Sequence, residues 1–339
     1  MERSYDETMT NPLVTMRRIT LGSVELDVVE ALPAADAARG CEPVILVHGF
    51  PESAHSWRHQ MLALAGAGYH VVAPDMRGYA GSSRPTNVAD YGIEQLTGDL
   101  LSLVNQLGYE RATFVGHDWG ALITWDLARL HPHRVKALIN VSVPFVDWPA
   151  APTSVFKAAS GENFFYILYF QEVGPVEAEL NPQVARFMKT ILWSASGDGF
   201  RSDPTPHPAA GNGWLDTMPA PPDQLASWCT DDDYATYVRQ FETSGFFGPC
   251  SYYRNLDRNY QLVKNFPVSN MTMPIWFIGG TKDMVIARDL NGVNRMRAQL
   301  PNYQGHVLID GAGHWTQQER PVEFNAALLE FLDAANPAT

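Results

Sequence analysis

The sequence has few cysteines, no basic cluster and no long apolar run. Its three cysteines, Cys41, Cys229 and Cys250, are widely spaced and form no CxxC pair. Neither a zinc ribbon nor a disulfide framework is therefore indicated, and we expect a reducing cytoplasm. Since no run of about 18 apolar residues occurs, no transmembrane helix is predicted. The segment MERSYDETMTNP lacks the apolar stretch of a secretory signal.

Positive charge is also scarce. Lys and Arg number 24 against 37 Asp and Glu, so the formal net charge is −13 at pH 7. This balance, without any Lys/Arg-rich run, argues against nucleic-acid and anionic-membrane partners. Hydrophobic residues are abundant at 45%, with 11% aromatics, which is typical of a globular protein with a large core.

Strand-like and helix-like segments alternate in the first part of the chain. The predicted strands are VELDVVEAL, EPVILVHGF, HVVAPDMRG, RATFVGHD and VKALINVSVP, and the helical segments among them include GIEQLTGDLLSLVNQLG and GALITWDLARLHP. This alternation predicts a mostly parallel sheet with right-handed crossovers. The sheet pattern resumes near the end with MPIWFIGGTKD and HVLIDGAGH, followed by the helical RPVEFNAALLEFLDAA.

The middle of the chain has no strand signal and is rich in Pro, Gly and aromatics. Its predicted helices are ENFFYILYFQEV, NPQVARFMKTILWSAS and TDDDYATYVRQFETSG, the last with Thr230 as N-cap and Gly245 as its stop. We therefore predict an α/β fold split by a helical cap. The divisions are 1–144 and 266–339 for the two parts of the core, and 145–265 for the cap.

Asp118 is the first candidate catalytic residue. In FVGHDWGALITWDLARLHP it ends an apolar strand, opens a helix and is flanked by Gly116 and Gly120. This context resembles the nucleophile elbow of α/β-hydrolases, in which small neighbours permit a strained turn. The alternative is an ordinary turn in which Asp118 only caps the helix.

Two later residues complete a triad in the order nucleophile, acid, histidine. Asp283 follows a strand in GGTKDMV, and His314 follows the last strand in GAGHWTQQE. Both stand where strands end, which is where open α/β sheets place their ligand sites. Asp289 stays an alternative acid, because an Asp after a strand also suits a turn.

The HGFP segment, His48 to Pro51, follows another strand. Its Phe50 N–H, together with that of Trp119, is predicted to form an oxyanion hole made of backbone donors. A tight turn at this segment is compatible with that role, and His48 is expected to be structural.

An aspartate at the elbow restricts the chemistry. A serine that opened an epoxide or displaced a halide would form an ether, which a histidine and water cannot cleave. A carboxylate forms an ester, and it is ionised at neutral pH because its reference pKa is about 3.9. Asp118 therefore indicates electrophiles at sp3 carbon, chiefly epoxides and alkyl halides, with His314 left free to activate water.

The leaving group separates these two substrate classes. An epoxide oxygen needs a proton donor, and a tyrosine with a pKa of about 10 keeps its proton at pH 7. The cap region holds Tyr166 and Tyr169 in FFYILYFQ, and Tyr252 and Tyr253 in SYYRN. On spacing alone these tyrosines suit packing as well as catalysis.

The sequence resembles the soluble epoxide hydrolase family. The shared stretches run in order from about residue 43 to 319: HGFPES with SWRHQ, RGYAGSS, VGHDWGA, FYILYFQE, GPCSYYRN, GGTKD and GHWTQQE. The resemblance implies an α/β-hydrolase fold and the following roles: Asp118 nucleophile, Asp283 acid, His314 base, Tyr166 and Tyr253 epoxide-polarising, and Phe50 and Trp119 in the oxyanion hole. Ala54, His55 and Tyr252 depart from residues common in the family, and these departures are expected to bear on the shape of the pocket.

The resemblance further implies hydrolysis of an epoxide to a vicinal diol through a hydroxyalkyl ester on Asp118. We expect no metal or organic cofactor, and a small apolar epoxide and water as the only ligands of a monomer or homodimer. Two alternatives stay open: a haloalkane or haloacid dehalogenase with the same Asp-His-Asp chemistry, and a non-catalytic hydrolase-fold binding protein. Halide release would identify the first, and ligand binding without diol formation would identify the second.

Overall fold

The computed structural model describes residues 14–33, 42–202, 205–220, 223–289 and 291–336. Cys41 and the N-terminal segment expected to carry no secretory signal lie outside these residues. No helix in the described part of the chain is long and apolar enough to cross a membrane.

The described residues form one sheet of eight strands in the order β1-β2-β4-β3-β5-β6-β7-β8. The β1-β2 and β2-β4 pairs are antiparallel, and the remaining pairs are parallel. The strands are β1 (Val14–Leu21), β2 (Val24–Ala31), β3 (Val44–Val47), β4 (Val71–Pro74), β5 (Ala112–His117), β6 (Val135–Val141), β7 (Ile275–Gly280) and β8 (Tyr303–Ile309).

Helices cover both faces of this sheet, so the central strands β3, β4 and β5 are buried along their whole length. The core helices are α1 (Arg58–Gly66), α2 (Ile93–Gln106), α3 (Trp119–Leu130), α12 (Met284–Arg288), α13 (Gly292–Gln299), α14 (Thr316–Glu319) and α15 (Pro321–Ala335). The predicted α/β-hydrolase fold is confirmed. The first strand, β1, was not predicted; it lies at the sheet edge, where its alternating half-exposed residues give a weak apolar signal.

A helical insertion lies between β6 and β7. It contains α4 (Pro152–Ser160), α5 (Tyr166–Tyr169), α6 (Pro175–Leu180), α7 (Val184–Ser194), α8 (Trp214–Thr217), α9 (Asp231–Ser244), α10 (Phe247–Arg254) and α11 (Leu256–Val263). Its apolar residues join the same buried cluster as one face of the sheet, so the insertion packs directly on the core. The cap boundaries at 145 and 265 stay a prediction.

Two local predictions in the insertion had different outcomes. Thr230 caps α9 by accepting a hydrogen bond from the Asp233 N–H, and Gly245 ends it at φ 65°, as predicted. The predicted helix over 162–173 is wrong in extent, since only the single turn of α5 is helical. The preceding residues pair instead with a neighbouring loop, where the Phe164 N–H donates to the His207 carbonyl at 2.7 Å.

Candidate active site

Asp118 lies at the sharp turn between β5 and α3. Its backbone has φ 51° and ψ −115°, a left-handed conformation that is strained for a residue with a side chain. The flanking glycines explain how the turn fits. A Cβ on Gly120 would lie 2.0 Å from the Val47 carbonyl oxygen, and one on Gly116 would lie 2.3 Å from the Gly120 carbonyl oxygen. The turn therefore holds Asp118 against the end of β3.

The loop after β3 contacts the Asp118 carboxylate directly. The Phe50 N–H donates a hydrogen bond to Oδ1 at 2.8 Å. Trp119 is the first residue of α3, so its N–H belongs to the first turn, where amides have no acceptor within the helix. Both predicted oxyanion-hole donors thus adjoin Asp118.

The other oxygen of Asp118 faces His314. The distance from His314 Nε2 to Asp118 Oδ2 is 3.4 Å. On the far side of the imidazole, Nδ1 lies 3.1 and 3.2 Å from the two oxygens of Asp283. The Asp283 carboxylate is completely buried, and it also accepts the Val285 N–H at the start of α12. The three predicted triad residues therefore form one contiguous chain.

This chain is electrostatically coupled. Burial by itself lowers the pKa of His314, but the carboxylates of Asp283 and Asp118 raise it well above the usual value. Burial raises the pKa of Asp118, but its contacts with His314 and the Phe50 N–H hold that pKa below the usual value. Both shifts favour an Asp118 anion beside a protonated imidazole.

Tyr166 and Tyr253 line the same cavity as Asp118. The cavity has a volume of about 760 Å³, and its wall includes Asp118, His314 and both tyrosines. Burial raises the pKa of each phenol, and the Asp118 carboxylate raises it further. Both hydroxyls keep their protons at neutral pH and can serve as donors to a basic oxygen.

The other residues singled out in the sequence have different places. Tyr252 donates its hydroxyl to the Arg77 carbonyl at 2.8 Å and joins the insertion to the core. His48 accepts the Met76 N–H through Nε2, which is a structural contact. Asp289 binds Arg295 and does not approach His314. Tyr169 is outside the cavity wall.

Of the family departures, His55 and Tyr252 join the insertion to the core, whereas Ala54 contacts the core alone. His55 Nε2 lies 2.7 Å from Asp233 Oδ1 at the start of α9, and Arg58 Nε lies 2.9 Å from the same oxygen. Ala54 donates its N–H to Asp75 at 2.7 Å. Ala54, His55 and Tyr252 are not among the residues that line the cavity, and their effect on its shape stays a prediction.

Sequence reasoning missed a buried polar network behind the triad. Glu52 Oε2 lies 2.6 Å from His117 Nδ1, and the other ring nitrogen of His117 contacts the His314 carbonyl oxygen at 2.8 Å. Glu52 also accepts hydrogen bonds from Gln317 and Gln318. Glu52 and its partners are up to 266 positions apart in the chain. The only sequence signal for this network was the presence of an acid in HGFPES.

Glu319 was also missed. Its carboxylate accepts the N–H groups on both sides of His314, from Gly313 at 2.9 Å and from Trp315 at 3.1 Å. A third donor is the Gly197 N–H of the insertion at 2.8 Å. Glu319 therefore fixes the backbone that carries His314 and joins it to the segment following α7.

The side chains around the site are arranged for acid–base and nucleophilic chemistry. Within the described residues, no group of three or more His, Cys, Asp or Glu side chains is placed to hold a metal ion. The cavity wall is aromatic, with Phe50 and Tyr253 rings at 5.6 Å and Tyr166 and Trp214 rings stacked at 5.0 Å. Such walls bind the apolar part of a small ligand.

Comparisons with known proteins agree with this arrangement. Residues 42–163 match a family described as alpha/beta hydrolase fold. The chain is 45% identical to Epoxide hydrolase A of Mycobacterium tuberculosis over 320 residues, covering 94% of this chain and 97% of that protein. Epoxide Hydrolase A from Mycobacterium thermoresistibile has a TM-score of 0.84 at 40% identity, covering 94% of this chain and 98% of its own. An epoxide hydrolase from an endophytic Streptomyces has a TM-score of 0.88 at 34% identity, covering 95% of this chain and 96% of its own.

Proposed function

We propose a catalytic mechanism centred on Asp118. The proposal starts from the family: the chain belongs to the epoxide hydrolase family within the α/β-hydrolase fold. The protein is accordingly an epoxide hydrolase, which adds water to an epoxide to give a vicinal diol. The observation that carries the proposed course is the different environment of the two Asp118 oxygens. Oδ1 accepts the Phe50 N–H, whereas Oδ2 faces His314.

In the first step Asp118 attacks one epoxide carbon from the side opposite the C–O bond that breaks. Tyr166 and Tyr253 hydrogen-bond the epoxide oxygen, and one of them donates its proton as the ring opens. The product is a hydroxyalkyl ester of Asp118. The support for this step is the placement of both protonated phenols on the cavity wall that holds the Asp118 carboxylate.

In the second step His314 takes a proton from a water molecule, which attacks the ester carbonyl carbon. Asp283 orients the imidazole and stabilises its positive charge. The N–H groups of Phe50 and Trp119 hold the oxyanion that develops on the former Oδ1. His314 returns the water proton to the departing alkoxide, and the diol leaves. The regenerated Asp118 carboxyl then passes its proton to His314, which replaces the proton that His314 gave to the tyrosine phenolate before it acted as a base.

Isotopic oxygen tests the covalent course. In a single turnover in heavy-oxygen water with enzyme in excess, the first diol should carry ordinary oxygen from Asp118. Repeated turnovers should then bring label into the diol, because each hydrolysis leaves a water oxygen in the carboxylate. Full labelling of the first diol would exclude the ester and favour direct attack by water.

A His314→Gln variant separates the two steps. Alkylation should continue and the ester should accumulate, since the base acts only on water. Mass spectrometry of the intact protein should show a covalent adduct that Asp118→Ala does not form. Failure to trap any adduct in the His314 variant would count against His314 as the base.

The natural ligand and setting are also proposals. We infer a mainly apolar epoxide, since the cavity wall includes Phe165, Ile191, Trp214 and Met218. A monomer or homodimer without nucleic-acid partners agrees with the net charge of −13. A reducing, cytoplasmic setting is supported by Cys229 and Cys250, which are buried free thiols.

A further inference from the structure

Two connections join the helical insertion to the sheet. The outgoing connection, residues 142–151, runs from the end of β6 to the start of α4. The returning connection, residues 264–274, runs from the end of α11 to the start of β7. Side chains of α3, the helix that begins directly after Asp118, contact both connections. The nucleophile and the insertion are therefore linked through this helix.

Arg129, in the last turn of α3, bonds to both connections at once. Its Nη1 donates to Asp147 Oδ1 on the outgoing connection at 2.8 Å, and its Nε donates to the Phe266 carbonyl on the returning connection. The Arg129 side chain is 8% exposed, whereas that of Asp147 is 44% exposed. The guanidinium suits this position, because its rigid plane directs separate N–H groups toward two acceptors.

A second residue of α3 supports the outgoing connection alone. Trp125 Nε1 donates to the Val143 carbonyl at 3.0 Å, and its ring packs on that of Phe145 with centroids 5.4 Å apart. A small cavity of about 60 Å³ lies between α3 and the connections, and its wall includes Arg129 and Asp147. Because the packing is incomplete at this point, the bonds of Arg129 are needed to fix the connections.

The groups of the proposed active site are divided between the core and the insertion. Tyr166 lies in α5 and Tyr253 in α10, whereas Asp118 and His314 belong to the core. Ring opening needs both parts in register, because Asp118 attacks carbon while the phenols hydrogen-bond the epoxide oxygen. In ester hydrolysis, the base and the oxyanion donors all belong to the core.

We propose that Arg129 is a positioning residue, which sets the two tyrosines relative to Asp118 by clamping both connections to α3. Arg129 does not line the catalytic cavity, so it acts through the segments it holds. Misplacement of reacting groups by about 1 Å costs up to about 100-fold in rate, so a small shift of the insertion is sufficient for a large effect. The inference rests on the proposed function, since it concerns the tyrosines of that mechanism.

Arg129→Leu removes both bonds and tests the clamp. Single-turnover stopped-flow kinetics should show alkylation slowed by about 10- to 100-fold, with a much smaller change in ester hydrolysis. A distortion of α3 itself would instead slow both steps, because the ester on Asp118 and the Trp119 N–H lie at the start of that helix. The ratio of the two rates therefore distinguishes a displaced insertion from a damaged elbow.

Asp147→Asn tests the same clamp from its exposed partner. It removes the ion pair but leaves the contact with the Phe266 carbonyl, so alkylation should fall by only about two- to fivefold. The variant that combines it with Arg129→Leu should be no slower than Arg129→Leu alone, because both changes remove the same bond.

Arg134→Leu is the matched control. The Arg134 guanidinium also donates to one carbonyl, that of Glu110, and to one side chain, that of Asn105, at 2.6 Å for the latter. Both partners belong to the core, so alkylation and hydrolysis should keep their wild-type rates.

Alkylation in Arg129→Leu at the rate of the Arg134 control would overturn the clamp, and so would an equal fall in both steps. In either case wild type still forms and hydrolyses the ester, so the proposed function stands. If Arg129→Leu does not fold, Asp147→Asn decides, and unchanged alkylation in it overturns the clamp. Absence of any ester in wild type would refute the proposed mechanism and this inference with it.

Discussion

Replacement of Glu319 tests whether the backbone around His314 must be held for the second chemical step. One oxygen of Glu319 accepts the N–H groups of Gly197 and Gly313, and the other accepts that of Trp315. Glu319→Gln can keep the first two contacts with its single carbonyl oxygen. The NH2 group of the glutamine side chain would then face the Trp315 N–H. Because both groups are hydrogen-bond donors, the Trp315 N–H would lose its acceptor. Glu319→Ala loses all three acceptors.

The expected cost follows from these contacts. A buried donor without a partner costs about 1–3 kcal/mol, so Glu319→Gln should lower the free energy of unfolding by about that amount. The alanine variant leaves three such donors and should lose about 3–9 kcal/mol, which approaches the whole stability of a typical protein of about 5–15 kcal/mol. The glutamine variant is therefore the one suited to kinetics, and urea unfolding of both gives the stabilities.

The kinetic readout is a stopped-flow separation of ester formation from ester hydrolysis, with adduct mass measured in parallel. Because His314 acts as a base only on water, Glu319→Gln should slow hydrolysis more than alkylation, and the ester should accumulate at steady state. If the variant is destabilised but both rates fall equally or not at all, Glu319 supports the fold without positioning His314, and the reasoning is refuted.

Three further predictions concern the elbow, the phenols and a buried acid. Gly120→Ala should abolish activity and folding yield, since its Cβ would lie 2.0 Å from the Val47 carbonyl, whereas Gly98→Ala in α2 meets open space and should stabilise by about 0.5–1 kcal/mol in urea unfolding. Replacing Tyr166 or Tyr253 by Phe should slow alkylation by up to about 100-fold in single-turnover kinetics, and replacing both should cost far more than either, because one donor can partly serve for two. Burial raises the pKa of Asp75 to about 7. The folded state therefore binds a proton that the unfolded state releases near pH 3.9, and the contribution of Asp75 to stability should fall as pH rises from 4 to 7. Over this range wild type should lose up to about 4 kcal/mol more than Asp75→Asn, and equal changes in the two proteins would contradict this account.

Local patterns were sufficient to predict the fold because the parallel strands β3, β4, β5 and β7 are short buried runs followed by a turn. The central strands were predicted for that reason, and their ends mark the positions of Asp118, Asp283 and His314. The insertion was harder to predict. The residues before the short helix α5 pair with a distant loop, and the half-exposed edge strand β1 has no continuous apolar run.

The candidate site shows the same division between local and distant information. The elbow could be predicted, because the glycines that permit it are adjacent to Asp118 in the chain. Glu52 and Glu319 could not be assigned, because their roles depend on contacts made only after folding. Glu52 meets Gln317 across 265 positions, and Glu319 meets Gly197 across 122. The sequence around a buried acid does not show which N–H groups will donate hydrogen bonds to its carboxylate.

The two carboxylates beside His314 suggest why water is activated only after the ester has formed. In the resting site Asp118 and Asp283 together raise the pKa of His314 well above its usual value, so the imidazole holds a proton and is not a base. In the proposed course, alkylation turns Asp118 into a neutral ester and removes one of these two anions, so the pKa of His314 should fall. The same step leaves a phenolate on Tyr166 or Tyr253, which is a strong acceptor for a proton. Transfer of the His314 proton toward that phenolate restores both groups to their neutral forms without net uptake from solvent. The first step thus generates the base that the second step requires.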